Sequence, residues 1–179
     1  EKAARRTPYK SVGGAGQSVE LTSAQRAAVD AVRGACGETF LLHGVTGSGK
    51  TEVYMNAIAA ALERGKTAIM LEPEISLTPQ VLKNFRARFG DSVAILHSGL
   101  SAGERFDEWR RLLCGEAKVA VGARSAIFAP LSDLGLIIID EEHDASYVSD
   151  SNPRYSTEEV AAFRAKYNNC NLVMGSATP

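Results

Sequence analysis

Six short apolar runs recur along this chain, each ending in a polar cluster and separated from the next by a stretch with helical periodicity or a short loop. The runs are TFLLHG, TAIMLEP, SVAILHS, KVAVGA, LGLIIID and NLVMGS, and between them lie segments such as KTEVYMNAIAAALERG and TPQVLKNFRARFG. Strands that are apolar on both faces and alternate with helices predict an α/β fold, a mostly parallel sheet with helices on both faces. Even the first run, TFLLHG, reads as a short buried strand. Ligand sites in such sheets gather at the carboxyl ends of the strands. The clusters HGVTGSGKT, LEPE, LHSG, VGARS, DEEHD and GSATP all fall at those ends, so one rim of the sheet is expected to carry the function.

Helix starts are legible as caps. Thr22 or Ser23 opens the first helix, Ser101 with Glu104 three residues on has capping-box spacing, and Ser156 or Thr157 opens the last. Trp109, the only tryptophan, falls on the Ser101 helix, where core packing is expected.

The chain of 179 residues fits one domain, and its net charge of −1 excludes a strongly basic nucleic-acid binder; nucleic-acid contact would rest on a local patch or backbone donors. Cys36, Cys114 and Cys170 have no paired spacing, which argues for a reducing compartment and against a disulfide framework or a zinc site. His43, His97 and His143 sit at strand ends without metal-ligand spacing. No apolar run reaches membrane-spanning length, so a cytoplasmic protein with no membrane partner is expected. The opening EKAARRTPYKSVGGAGQSVE is basic and then rich in Gly and Ser, which marks residues 1–19 as a linker and 20–179 as the folded unit. The stop just after NLVMGS suggests an excised domain.

GVTGSGKT, from Gly44 to Thr51, matches G-x-x-x-x-G-K-[ST] between a strand and a helix. Its glycines let backbone N–H groups of Gly44, Thr46, Gly47, Ser48 and Gly49 turn toward phosphate oxygens, beside a favourable helix N-terminus. Lys50 would reach the β- and γ-phosphates of ATP, and the Thr51 hydroxyl would ligate Mg²⁺. Such a loop needs an acid on a neighbouring strand, and LIIIDEEHD supplies Asp140 as the metal partner. Glu141 then stands as the general base for the attacking water. Glu142 has no assigned role, and solvent exposure is expected for it.

GVTGSGKTEVY, LEPEISLTPQ, LHSGLS, VGARSAIFAP, IIIDEEHDASY and GSATP resemble, in order and spacing, the first motor lobe of the PriA family of primosomal replication-restart helicases, DEAH-type members of helicase superfamily two. The likeness runs from Leu21 to Pro179. It implies a RecA-like P-loop NTPase lobe, truncated before a second lobe, of a DNA helicase that moves 3′ to 5′ with ATP and Mg²⁺. By matching motif, it implies that Gln25 reads the adenine edge and that Thr78, Gln80, Arg124 and Ser125 contact the DNA strand. It also implies that His143 works within DEEH, bridging to Ser176 or Thr178, which couple nucleotide state to DNA. The family's aromatic loop is represented here by Tyr147 and Tyr155 but holds no tryptophan, and packing at a loop edge is an equal reading for both tyrosines. Primosome proteins and single-strand-binding protein are expected as partners through regions outside this segment. Without the second lobe and its arginines, the chain is expected to bind nucleotide and hydrolyse it very slowly. Two alternatives stay open, a nucleotide-dependent binding module without turnover and another DEAH-type helicase or translocase.

Overall fold

The computed structural model describes residues 20–45, 47–150 and 152–177; the linker at 1–19 and the site candidates Thr46 and Thr178 lie outside them. The elements alternate as the apolar runs predict. Helix α1 (Ser23–Gly34) precedes β1 (Thr39–His43), α2 (Lys50–Glu63), β2 (Thr67–Leu71) and α3 (Pro79–Phe89). Then follow β3 (Val93–Leu96), α4 (Ala102–Leu113), β4 (Val119–Gly122), β5 (Leu134–Ile139), α5 (Thr157–Asn168) and β6 (Asn171–Ser176). The strands form one sheet in the order β1-β6-β5-β2-β4-β3, with every pair parallel. Thr22 and Ser101 both close capping boxes, and Ser156 caps α5.

Period-two alternation assigns each face of the sheet its own core. Met70, Ile95, Val121, Ile138 and Val173 pack under α1, α2 and α3 with Tyr54, Ile58 and Phe85. Ile69, Leu96, Ala120, Ile137 and Leu172 face α4, α5 and the short 3-10 turn Arg124–Phe128. Strand β1 corrects the expectation of a buried strand: it is the sheet's edge, its residues alternate between exposed and half-buried, and Leu41 is 58% exposed. Only its Phe40 and Leu42 face reaches the core.

The opposite edge, β3, is closed by charges. Glu108 of α4 accepts the Ile95 N–H at 2.8 Å, and Arg111 donates to the Val93 carbonyl at 3.1 Å. These are backbone groups that an edge strand leaves unpaired. Glu108 is fully buried and pairs with Arg111 at 2.9 Å and with Arg86 of α3 at 3.6 Å.

Candidate functional site

At the end of β1 the chain turns through Gly44–Gly49 into α2. Gly47 and Gly49 hold φ near +81° and +82°, the left-handed region that glycine enters without strain. Gly49 is the N-cap of α2 with no side-chain cap bond, which leaves the first-turn N–H groups of the helix directed at the loop. The loop's own carbonyls hold its strongest donors. Lys50 Nζ donates to the Gly44 carbonyl at 2.6 Å, and the Ser48 N–H to the Val45 carbonyl at 3.0 Å. Thr51 is half-buried in the first turn of α2.

Gln25 lies against this loop. Its Oε1 accepts the Thr22 N–H at 2.9 Å in the capping box, and its Nε2 donates to the Ser48 carbonyl at 3.0 Å. A Cβ on Gly49 would run into that amide nitrogen. The residue expected to read adenine is thus also a strut between α1 and the phosphate loop.

Asp140, one residue beyond β5, is held by two buried tyrosines. Its Oδ1 accepts the Tyr54 hydroxyl at 2.8 Å, and its backbone carbonyl accepts the Tyr147 hydroxyl at 2.8 Å. Burial first, then the nearby carboxylates, push both phenols far above their ordinary range, so they stay donors at any working pH. Gly175 of β6 makes room for the contact, since a Cβ there would run into the Tyr54 hydroxyl and lie 2.6 Å from Asp140 Oδ1. Neither the Tyr54 clamp nor the Gly175 space was foreseen from the motifs, although both residues stand inside quoted ones. Glu141 adopts φ of +48°, a strained conformation for a residue with a Cβ.

Glu72 joins the site although no motif singles it out. It follows β2, whose Leu71 is the parallel neighbour of Ile139, so Glu72 and Asp140 leave adjacent strands side by side. It is 5% exposed, and its acid is pushed up to about 8 by burial first, then by Asp140 and Glu141, with Lys50 opposing. The signal available was a carboxylate directly after an apolar run, the same signal that singled out Asp140. Among the described residues no group of three or more His, Cys, Asp and Glu side chains is arranged to hold a metal ion by itself, so a divalent cation beside Asp140 would need phosphate oxygens as further ligands.

Strand β6 ties the two halves of this site together. The Gly44 N–H donates to the Ser176 carbonyl, and the Glu142 N–H donates to the Gly175 carbonyl, each at 3.0 Å. The backbone of Glu142 therefore links the acidic turn to β6, and its side chain is only partly exposed. His143 is half-exposed, with Nδ1 4.0 Å from Glu142 Oε1.

A second feature occupies the same rim at the ends of β3 and β4. A cavity of about 440 Å³ is lined by Glu74, His97, Ser98, Arg105, Trp109, Arg124, Ser125, Ser146 and Tyr155, among others. Three of the sequence's polar clusters, LEPE, LHSG and VGARS, meet there. Arg124 donates to the Ser146 carbonyl at 3.1 Å and to that of Val148, and its guanidinium sits 5.8 Å from the centre of the Tyr155 ring. Tyr155 meets Phe128 edge-on at 5.0 Å. Trp109 corrects the packing expectation, because it is 37% exposed and lines the cavity. Tyr147 stays inside on Asp140. Thr78 caps α3 by accepting the Val81 N–H at 3.3 Å, and Gln80 donates to Asn84 at 2.9 Å, so both sit at the exposed start of α3 outside the cavity lining.

Among the described residues, no helix is long and apolar enough to cross a membrane. A family model described as DEAD/DEAH box helicase matches residues 22–179. The chain is 54% identical over 167 residues to the replication restart protein PriA of Bacillus subtilis (strain 168), covering 91% of this chain and 21% of that protein. It is 55% identical over 160 residues to the replication restart protein PriA of Treponema pallidum (strain Nichols), covering 89% and 24%. The chain thus spans about a fifth to a quarter of these curated relatives. Among solved structures, RecG bound to a three-way DNA junction aligns with TM-score 0.65 and 27% identity over 90% of this chain and 21% of that one. The Hef helicase domain of Pyrococcus furiosus aligns with TM-score 0.61 and 25% identity, covering 87% and 32%.

Proposed function

The chain belongs to the DEAD/DEAH box helicase family, and we propose that it is the ATP-binding first lobe of a replication-restart DNA helicase that moves 3′ to 5′. The observation that carries this reading is the strapping of β6 to both the phosphate loop and the acidic turn through Ser176 and Gly175. A change at the nucleotide is felt by both at once. Identity above half with two replication restart proteins supports the biological setting. Primosome proteins, single-strand-binding protein and a second lobe follow from that setting as partners.

In this reading Lys50 leaves the Gly44 carbonyl for the terminal phosphates, and the N–H groups of the loop and of the α2 N-terminus cradle the rest. Gln25 meets the adenine with the amide valences left over from its strut. Thr51 and Asp140 would hold Mg²⁺, which when bound would supply positive charge against the charge that develops on the phosphates. Tyr54 keeps one Asp140 oxygen in place, so the carboxylate presents the other. Glu141 takes the proton of the attacking water. His143, Ser176, Thr178 and the buried Tyr147 relay the change of state, and Arg124, Ser125, Thr78, Gln80 and Tyr155 meet the DNA strand.

The test is Glu141→Gln in a full-length helicase carrying this lobe. Hydrolysis should fall by about 10²- to 10⁴-fold, with binding of a fluorescent ATP analogue retained. An unchanged rate would shift the reading to a binding module without turnover.

A further inference from the structure

The cavity at the ends of β3 and β4 has a composition that phosphate contact alone does not explain. Arg105 and Trp109 lie four residues apart on α4, which places both side chains on the wall of the cavity. Arg124 and Tyr155 line it as well, with the guanidinium over the tyrosine ring. The lining also includes the carboxylate of Glu74, bonded to the Ser98 hydroxyl. A negative group in the lining opposes a phosphate inside, while the exposed indole and the half-buried phenol leave flat apolar surface that a phosphate cannot use. Aromatic platforms combined with cations are the chemistry that holds unpaired bases, because every base offers a π-face whatever its sequence. The volume of about 440 Å³ lies within the range of small-ligand pockets.

We propose that this cavity receives one unpaired base of single-stranded DNA against the Trp109 indole, while Arg105 and Arg124 hold the flanking phosphates outside. The inference rests on the reading of the chain as a DNA motor lobe and adds to it a grip on a base. A base lodged beside Arg124 meets the segment that Arg124 anchors, Ser146–Val148. That segment contains Tyr147, whose hydroxyl holds the Asp140 carbonyl. Occupancy of the cavity is thereby one side chain away from the acid of the nucleotide site.

The chain carries its own reporter, since Trp109 is its only tryptophan. Trp109 emission is followed while the chain is titrated with a thymidine oligonucleotide, an abasic oligonucleotide of equal length, or free thymidine monophosphate. Anisotropy of labelled oligonucleotides measures binding in parallel. The thymidine oligonucleotide should quench Trp109 with the midpoint seen by anisotropy. The abasic strand should bind about 5- to 150-fold more weakly and leave emission unchanged, and the free nucleotide should do neither at comparable concentration. Trp109→Phe should keep the affinity, whereas Trp109→Ala should lose about the same 5- to 150-fold and still bind a fluorescent ATP analogue as before. If the oligonucleotide binds without quenching, or the abasic strand quenches equally, base capture is wrong and the DNA-lobe reading survives. If no strand binds at any concentration, the DNA-lobe reading itself falls and the inference with it.

Discussion

The two ends of the functional rim are finished to different degrees. On the β1–β6–β5 side polar groups are already locked to one another: Lys50 on Gly44, Gln25 on Ser48, Tyr54 and Tyr147 on Asp140. On the β4–β3 side the cavity keeps rings and guanidiniums along an open wall, with Trp109 more than a third exposed. The first arrangement suits chemistry, where donors must stand ready at fixed points before charge develops. The second suits a polymer that must be gripped and released without regard to sequence. The proposed motor role needs both, and the Arg124-anchored segment with Tyr147 runs between them.

The comparison breaks most visibly at the root of the open end. Helix α4 carries Arg105 and Trp109, and it is fixed to β3 by the buried Glu108 with Arg111 and Arg86. Glu108→Ala would leave two buried guanidiniums without their carboxylate, a loss of about 3–5 kcal/mol. Chemical denaturation should register that drop, and a change under 1 kcal/mol would mean that the triad is far better solvated than its burial implies.

The finished end is probed more finely by Tyr54→Phe, which deletes one hydroxyl from Asp140 and keeps the ring. Groups that orient a metal ligand are worth about 10- to 100-fold in metal affinity. Magnesium dependence of nucleotide-analogue binding should shift by that factor while magnesium-free binding and Trp109 emission stay as they were. Equal loss with and without magnesium would assign Tyr54 to packing alone.

A pH-dependent effect is expected from Glu72→Gln, measured without added metal. Unfolded, Glu72 ionises near 4.5; folded, it keeps its proton up to about 8. Below 4.5 both states are protonated and burial carries no ionic penalty. Between 4.5 and 8 the unfolded chain has released a proton that folding must recover, so the wild type loses stability across that window and levels off above it. Glutamine removes this slope. The variant should match the wild type at the acid end and melt higher above the window, by about 2–4 °C for each kcal/mol that the lost slope represents in a chain of this size. A parallel pair of melting curves across pH would show that Glu72 does not titrate.

What was legible in the sequence follows the same division. The phosphate loop and Asp140 were readable because their chemistry is contiguous: a glycine loop, a lysine, and an acid closing an apolar run. The alternation of strands and helices and the caps were readable for the same reason, but the strand order was not, since TFLLH is as apolar as a buried strand and nothing local reveals an edge. Tyr54, Gly175 and Glu72 act on Asp140 across strands, and a register is needed to bring them together. Trp109 looked like core because an aromatic on an amphipathic helix usually is. Its exposure depends on the shape of a cavity assembled from the ends of several strands. The interior placement of Arg86, Glu108 and Arg111 follows from the position of β3 at the sheet edge, which no local pattern reveals.

The central claim, that Gly44–Thr51 and Asp140 form one magnesium–nucleotide site, meets its most direct test in a titration of this chain with a fluorescent ATP analogue, with and without magnesium. The account predicts saturable binding that magnesium strengthens in the wild type and that Lys50→Ala weakens by at least about tenfold, the worth of one charge-assisted phosphate contact. Equal binding by the wild type and Lys50→Ala, indifferent to magnesium, would contradict it.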